Sequence, residues 1–145
     1  MSGESIPALY QSISAGVPPD NVISFLEQAA QSAQAGATNI TTAVDGISSG
    51  VNAYGADVIS ATEVSDLLFA AVQGGKTDFA QLSANMSTVS GAANSAGIAF
   101  DNVTAALATI TSTGTTTNVA ATQLRSLINE LADSGSNVSE VFQNL

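Results

Sequence analysis

The segment Gly74-Gly75-Lys76-Thr77 comes closest in this sequence to a known chemical motif, the phosphate-binding P-loop. That loop ends in Gly-Lys-Ser/Thr, but it also requires a glycine five residues before Gly75, where this chain has Ala70. A P-loop also follows a strand, whereas the residues before Gly74 have the spacing of a helix. We therefore interpret the glycines as the end of one helix and Thr77 as the N-cap of the next.

Twelve carboxylates are candidates for acid–base chemistry or metal binding, and their spacing favours structural roles. Asp45-Gly46 lacks the acids at alternate positions that a calcium-binding loop needs. Glu63 and Asp66 can share a helix face, but Ser60 and Glu63 form an S-x-x-E capping box, which places Glu63 at the start of a helix. A hydrolase that uses carboxylates alone would need two acids that converge in a pocket, and the sequence indicates no such pair. We therefore expect no metal site and no cofactor.

The composition excludes most other catalytic chemistry. The 145 residues include no histidine, no cysteine and no tryptophan, and only two cations, Lys76 and Arg125. Imidazole catalysis, disulfides and thiolate metal sites are therefore excluded, and no serine or threonine has a histidine to activate it. Lys76 does not follow a Ser-x-x-Lys pattern. We predict that the protein is not an enzyme and that it has no catalytic, cofactor-binding or metal-binding residues.

The charge balance restricts the partners. Twelve acids against two cations give a formal net charge of -10, which repels the phosphates of a nucleic acid. The first residues have neither a basic region nor a long apolar run, and no later stretch has the length and hydropathy of a membrane span. We expect a soluble acidic protein that contacts no nucleic acid through this segment.

Arg125 has two interpretations. We favour a solvated or carboxylate-paired side chain on the helix face opposite Leu124 and Ile128. The alternative is an interface anchor in an otherwise acidic surface, because arginine is favoured at desolvated contacts.

Apolar residues recur with helical spacing, and no segment alternates with the period of a strand. The clearest stripes contain Val22, Phe25, Leu26, Ala29 and Ala30; Ile40, Val44, Ile47, Val51 and Tyr54; Val64, Leu67, Leu68, Ala71 and Val72; and Leu124, Leu127, Ile128 and Leu131. We predict an all-α fold of about eight short antiparallel helices. Their expected positions are residues 4–15, 19–35, 38–54, 61–73, 78–95, 100–113, 117–133 and 137–145.

Glycines and aromatic residues have distinct expected roles in these helices. Glycines that follow a helical stripe are predicted to form left-handed C-caps. They are Gly36, Gly55, Gly74, Gly97, Gly114 and Gly135. The large aromatic residues are predicted to anchor a core that is otherwise rich in small side chains. They are Tyr10, Phe25, Tyr54, Phe69, Phe79, Phe100 and Phe142.

The sequence contains an internal echo. Residues 14–22 (SAGVPPDNV) and 95–103 (SAGIAFDNV) are identical at six of nine positions, and two weaker matches follow in the same order. This pattern predicts one domain over residues 1–145 that arose by duplication of residues 1–77 into 78–145. Two four-helix repeats would then stack to share one core.

The segment at residues 42–82 carries a family resemblance. It contains, in order, the sequence AVD in one predicted helix, NAYG at the end of that helix, VSD-x-LF in the next helix and GKT-x-F where a further helix begins. This order closely resembles the core of bacteriophage tail tape measure proteins. Residues 9–30 and 121–142 also resemble that family, so the likeness covers most of the chain. In this family the GKT sequence belongs to the recurrent core pattern and has no implied nucleotide role.

The resemblance implies a structural role in the phage tail. Tape measure proteins lie in the lumen of the tail tube after assembly in the host cytoplasm, where they determine tail length and leave ahead of the DNA when the genome is ejected. The implied partners are the tail tube, the baseplate or tip, the tail assembly chaperones and further copies of the chain itself.

The length of the chain limits this role. A helix rises about 1.5 Å per residue, so even one continuous helix of this chain would span only about 220 Å. Tape measure proteins are usually several times longer, so we expect either the core of a longer protein or the small product of a split gene. An alternative of another class is a stand-alone acidic helical scaffold or adaptor that binds a partner protein.

Overall fold

The computed structural model describes residues 7–8, 12, 17, 21–135 and 137–143. Regular structure in this part of the chain is entirely helical, which confirms the all-α class. The helices are α1 (Val22–Ala35), α2 (Ile40–Tyr54), α3 (Ala61–Gly74), α4 (Phe79–Ser95), α5 (Phe100–Ser112), α6 (Thr117–Asp133) and α7 (Val138–Gln143).

The predicted number of about eight helices is wrong for the described residues. These residues form six helices of 13 to 17 residues and a C-terminal α7 of six residues. The helix predicted over residues 4–15 lies mainly outside the described part of the chain, although its described residues 7, 8 and 12 are helical. The predicted bounds of α1 to α6 are correct to within three residues.

Four helices begin at a side-chain cap, and at α7 the Asn137 Oδ1 accepts a hydrogen bond from the Glu140 N–H at 3.1 Å. The Ser60 hydroxyl accepts a hydrogen bond from the Glu63 N–H at 3.1 Å, and the Glu63 carboxylate accepts one from the Ser60 N–H at 3.3 Å, which confirms the capping box of α3. Asn39 caps α2. At α4 the prediction for Thr77 is wrong, because Asp78 is the N-cap and accepts from the Gln81 N–H at 2.8 Å.

Four of the six predicted glycine C-caps have the expected positive φ. They are Gly55, Gly97, Gly114 and Gly135. At the end of α1, Ala37 takes the left-handed conformation with φ 54°, while Gly36 has φ -90°. A Cβ on Gly36 would lie 2.7 Å from the Phe79 Cβ, so this glycine is required by the close approach of α4. Gly74 is the last residue of α3 and not a left-handed cap.

The helices pack in two layers. In the first layer, α2 lies between α1 and α4, and α4 in turn packs against α6. In the second layer, α3 packs against α5. This pair covers the first layer: α3 also contacts α1, α2 and α4, and α5 also contacts α4 and α6. The core between the layers consists mainly of buried Val, Leu, Ile and Ala side chains. The predicted duplication stays a prediction, under which α1 and α2 would correspond to α5 and α6.

The aromatic residues are buried to different degrees. Phe25, Phe79 and Phe100 are buried, as predicted, whereas Tyr54 and Phe69 are only half-buried. The Phe69 and Phe79 rings stack with centroids 4.5 Å apart. The Tyr10 residue and the Phe142 side chain lie outside the described residues.

The predicted helical stripe of α6 has one exposed member. Leu124 and Ile128 are buried in α6, but Leu127 is 42% exposed. Leu127 departs from the prediction because α6 lies at the end of the first layer, where α4 and α5 cover only part of its surface.

Candidate functional site

The segment that carried the family resemblance builds contacts between helices. Gly46 in α2 lies against Ser83 in α4 so closely that a Cβ there would be 2.7 Å from the Ser83 Cα. One turn later, a Cβ on Gly50 would lie 2.9 Å from a methyl group of Val64 in α3. The sequence reasoning missed this Gly46-x-x-x-Gly50 pair, although small residues four apart are the usual signal for close approach on one helix face. Asp45-Gly46 is therefore part of a packed helix and not of a loop.

The P-loop-like glycines have a similar packing role. Gly75 follows helix α3, as the sequence predicted, and a Cβ on it would lie 2.9 Å from the Ala108 Cα in α5. The Thr77 hydroxyl is hydrogen-bonded to the Thr117 hydroxyl at 2.7 Å, which joins this connection to α6. Lys76 is exposed. The segment thus connects α3 to α4 and packs closely against α5 and α6.

Buried hydroxyl groups join helices α1 and α3. The Ser32 and Ser65 hydroxyls are hydrogen-bonded at 2.6 Å, and the Gln28 amide nitrogen donates to the Ser32 hydroxyl at 3.0 Å. The Thr62 hydroxyl donates to the Gln28 carbonyl oxygen at 3.0 Å, which extends the chain of bonds to the surface. Because each polar group has a partner, this network fixes the position of the helices without desolvation cost from unpaired groups.

A cleft of about 430 Å³ lies where the end of α2, the start of α3 and the start of α5 meet. We call it the acidic cleft. Its apolar part includes Tyr54, Val58 and Leu67, and its acids are Glu63, Asp66 and Asp101.

Tyr54 fixes the apolar part of the acidic cleft. Its hydroxyl donates a hydrogen bond to the Ile98 carbonyl at 2.6 Å, and its ring meets the Phe100 ring edge-to-face with centroids 5.7 Å apart. Burial, with a smaller contribution from the negative charge of Asp101, raises the pKa of Tyr54 to about 12. The phenol therefore stays protonated at neutral pH and keeps this hydrogen bond.

The three carboxylates of the acidic cleft are all exposed. Glu63 belongs to the capping box, and Asp101 accepts a hydrogen bond from the Asn102 N–H at 2.8 Å in the first turn of α5. The sequence placed Glu63 and Asp66 on one helix face. The contact between α3 and α5 adds Asp101, in the first turn of α5, to the lining of the same cleft.

The acidic cleft is characterised by its negative charge. Neither of the two cations of the sequence lines the acidic cleft, so no lysine or arginine neutralises its acids there. Among the described residues, no group of three or more Asp, Glu, His or Cys side chains is placed to hold a metal ion. The cleft presents three negative charges beside an apolar surface.

A second cleft, of about 610 Å³, lies between α1, the end of α2 and the start of α3. Amide side chains such as Gln28, Gln31 and Asn52 line much of it. Arg125 lies elsewhere, exposed on α6, which leaves both interpretations of this residue open.

Comparison with models of known protein families decides the relationship of this chain. The model of the phage-related minor tail proteins matches residues 2–145. The chain belongs to this family. No curated protein and no solved structure matches it.

Membership of the minor tail protein family supports the coarser part of the predicted resemblance. The family implies a structural role in a phage tail, a location in the virion tail and other tail proteins as partners. Within the described residues of this minor tail protein, no helix is both long and apolar enough to cross a membrane.

Proposed function

We propose that this minor tail protein is the core domain of a tail tape measure protein. In this role it lies in the lumen of the tail tube, takes part in tail assembly and length determination, and leaves ahead of the DNA at genome ejection. Its partners are the tail tube, the baseplate or tip, the tail assembly chaperones and further copies of itself. The family match over residues 2–145 is the observation that carries the proposal.

The packing of residues 42–82 supports this assignment. The glycines, the capping box and the stacked phenylalanines of the tape-measure-like segment define how α2, α3 and α4 approach one another. A recurrent sequence pattern that builds helix contacts is consistent with a mechanical role for this domain. We infer that its function depends on shape and packing and not on catalysis.

The dimensions of the domain restrict its part in length determination. Helix α4, with 17 residues, is about 25 Å long at about 1.5 Å per residue, and a folded domain of such helices is far shorter than a tail. We infer that the folded domain contributes contacts during tail assembly. A segment whose own length sets the tail length would be separate from this folded domain.

Deletion of the coding region for residues 22–133 in the encoding phage or prophage tests the proposal. We expect capsids without tails, or tubes of uncontrolled length, in negative-stain electron micrographs. Gly91→Ala is the matched control, because a Cβ at this position has nothing within 4 Å and should leave tails normal. Tails of normal length after the deletion would instead favour a stand-alone acidic scaffold or adaptor.

Protease protection tests the location. A protein in the tube lumen should resist added protease in intact tails and become sensitive once ejection has been triggered. Digestion in intact tails, at the rate seen for the purified protein, would contradict the luminal position.

A further inference from the structure

The acidic cleft combines an exposed apolar surface with charge of one sign. Val58 is 70% exposed, the highest value among the large hydrophobic side chains of the described residues, and Leu67 beside it is half-buried. Exposed aliphatic groups rimmed by polar residues are typical of binding surfaces.

The carboxylates of the cleft are fixed at the surface without a cation. The helix starts of α3 and α5 hold Glu63 and Asp101 in place, and Asp66 lies one turn after Glu63. Asp101 lies close enough to Tyr54 for its negative charge to contribute to the raised pKa of that phenol. A low-dielectric wall beside like charges focuses their field toward an approaching partner.

The chemistry of the cleft excludes several occupants. A nucleic acid would meet only like charge. A second copy of this chain has a net charge of -10 and only two cations to offer. A wholly apolar partner would desolvate three carboxylates without pairing them, which is unfavourable. The remaining class is a protein segment that has both cationic and aliphatic side chains.

We propose that the acidic cleft docks a basic amphipathic segment of another protein. Its aliphatic side chain packs on Val58 and Leu67, and its Lys or Arg side chains pair with the surrounding carboxylates. This inference concerns the cleft alone and does not depend on the tape measure role.

Fluorescence anisotropy with a labelled synthetic peptide tests the docking. The probe is a short amphipathic peptide of Leu and Lys, and the two control peptides replace Lys by Glu or Leu by Ser. We expect binding of the Leu-Lys peptide at low salt, weaker binding as salt increases, and little binding of either control. Absence of binding by the Leu-Lys peptide, or equal binding of the Leu→Ser control, would overturn the proposal.

Two matched charge variants locate the binding. The cleft variant is Glu63→Gln with Asp66→Asn and Asp101→Asn, in which the glutamine introduced by Glu63→Gln still serves the capping box. The control variant is Asp78→Asn with Glu130→Gln and Asp133→Asn, which removes the same charge from exposed positions outside the cleft. We expect the cleft variant to weaken peptide binding about fivefold or more, or about 1 kcal/mol, and the control variant less than twofold.

Val58→Ser separates the apolar contribution from the charge. This residue lies in the exposed connection between α2 and α3, so the substitution leaves the core intact. We expect weaker binding of the Leu-Lys peptide with an unchanged urea midpoint of unfolding.

Equal loss of binding in the cleft and control charge variants would mean that the peptide responds only to the net charge of the protein, and the proposal would be wrong.

Discussion

At the scale of single residues, small polar side chains control how this protein is assembled. Asn39, Ser60 and Asp78 each accept a hydrogen bond from a free N–H at the start of a helix. Ser32 and Ser65 join two helices through their hydroxyls. These serine hydroxyls, which have no histidine to activate them, therefore act as caps and helix contacts.

Asp78→Ala should destabilise the protein by about 1 kcal/mol at neutral pH, because it removes the N-cap of α4. Asp78→Asn should cost less, since the amide oxygen can still accept from the Gln81 N–H. Urea unfolding of the three proteins measures both effects.

The Asp78 cap should also depend on pH. Hydrogen bonds from the Gln81 side chain, and then from its backbone, lower the pKa of Asp78 below the ordinary value of 3.8. The folded state therefore binds its proton more weakly than the unfolded state. The stabilisation is present above about pH 4 and is lost as the pH falls through the lowered pKa. An unchanged difference between wild type and Asp78→Asn over this acid range would contradict the assignment.

At the scale of helices, close approach depends on glycine where two axes come together. Gly46 and Gly50 place α2 directly against α4 and α3, and Gly75 places the end of α3 against α5. The Ser83 hydroxyl that faces Gly46 is buried and has no hydrogen-bond partner among the described groups. The close approach of α2 and α4 thus buries the Ser83 hydroxyl against Gly46.

Gly46→Ala should destabilise the protein by about 1–3 kcal/mol, because the added Cβ would force the Ser83 backbone to move. Gly91→Ala in α4 is the matched control, since its Cβ meets nothing within 4 Å. Alanine is the better helix former there, so this variant should be stabilised by up to about 1 kcal/mol. If chemical denaturation showed the same sign for both variants, the α2–α4 contact would be looser than described.

The stacked Phe69 and Phe79 rings should contribute unequally to stability. Phe79 is 1% exposed, so Phe79→Ala should cost about 3–5 kcal/mol. Phe69→Ala should cost less, because its ring is half-buried and loses less contact area. A double-mutant cycle from thermal melts should give a coupling of about 0.5–1.5 kcal/mol for the pair. A larger loss for Phe69→Ala would reverse the assigned burial.

At the scale of the whole molecule, the layers of helices carry a surface of almost one sign. The net charge of -10 is spread over a domain with only two cations, so its acids repel one another in the compact state. This surface opposes contact with nucleic acids and favours partners with basic segments.

Added salt should therefore stabilise the protein. Increasing NaCl from ~10 mM to ~0.5 M shortens the screening length from about 30 Å to under 10 Å, which weakens the repulsion. We expect the melting temperature to increase over this range. The increase should be smaller in the variant with Asp78→Asn, Glu130→Gln and Asp133→Asn, which has fewer charges. A melting temperature that falls with salt would mean that attractive ion pairs outweigh the repulsion.

The sequence by itself determined the all-α class and, to within three residues, the bounds of α1 to α6, because caps and apolar periodicity act within a few residues of the chain. It also identified the capping box at Ser60 and the end of a helix at Gly74-Gly75. Contacts between distant residues were decided only in the tertiary structure. These include Gly36 against Phe79, the exposure of Leu127, and the meeting of Asp101 with Glu63 and Asp66. The physical reason is that helix periodicity shows which face is apolar but not which helix covers it.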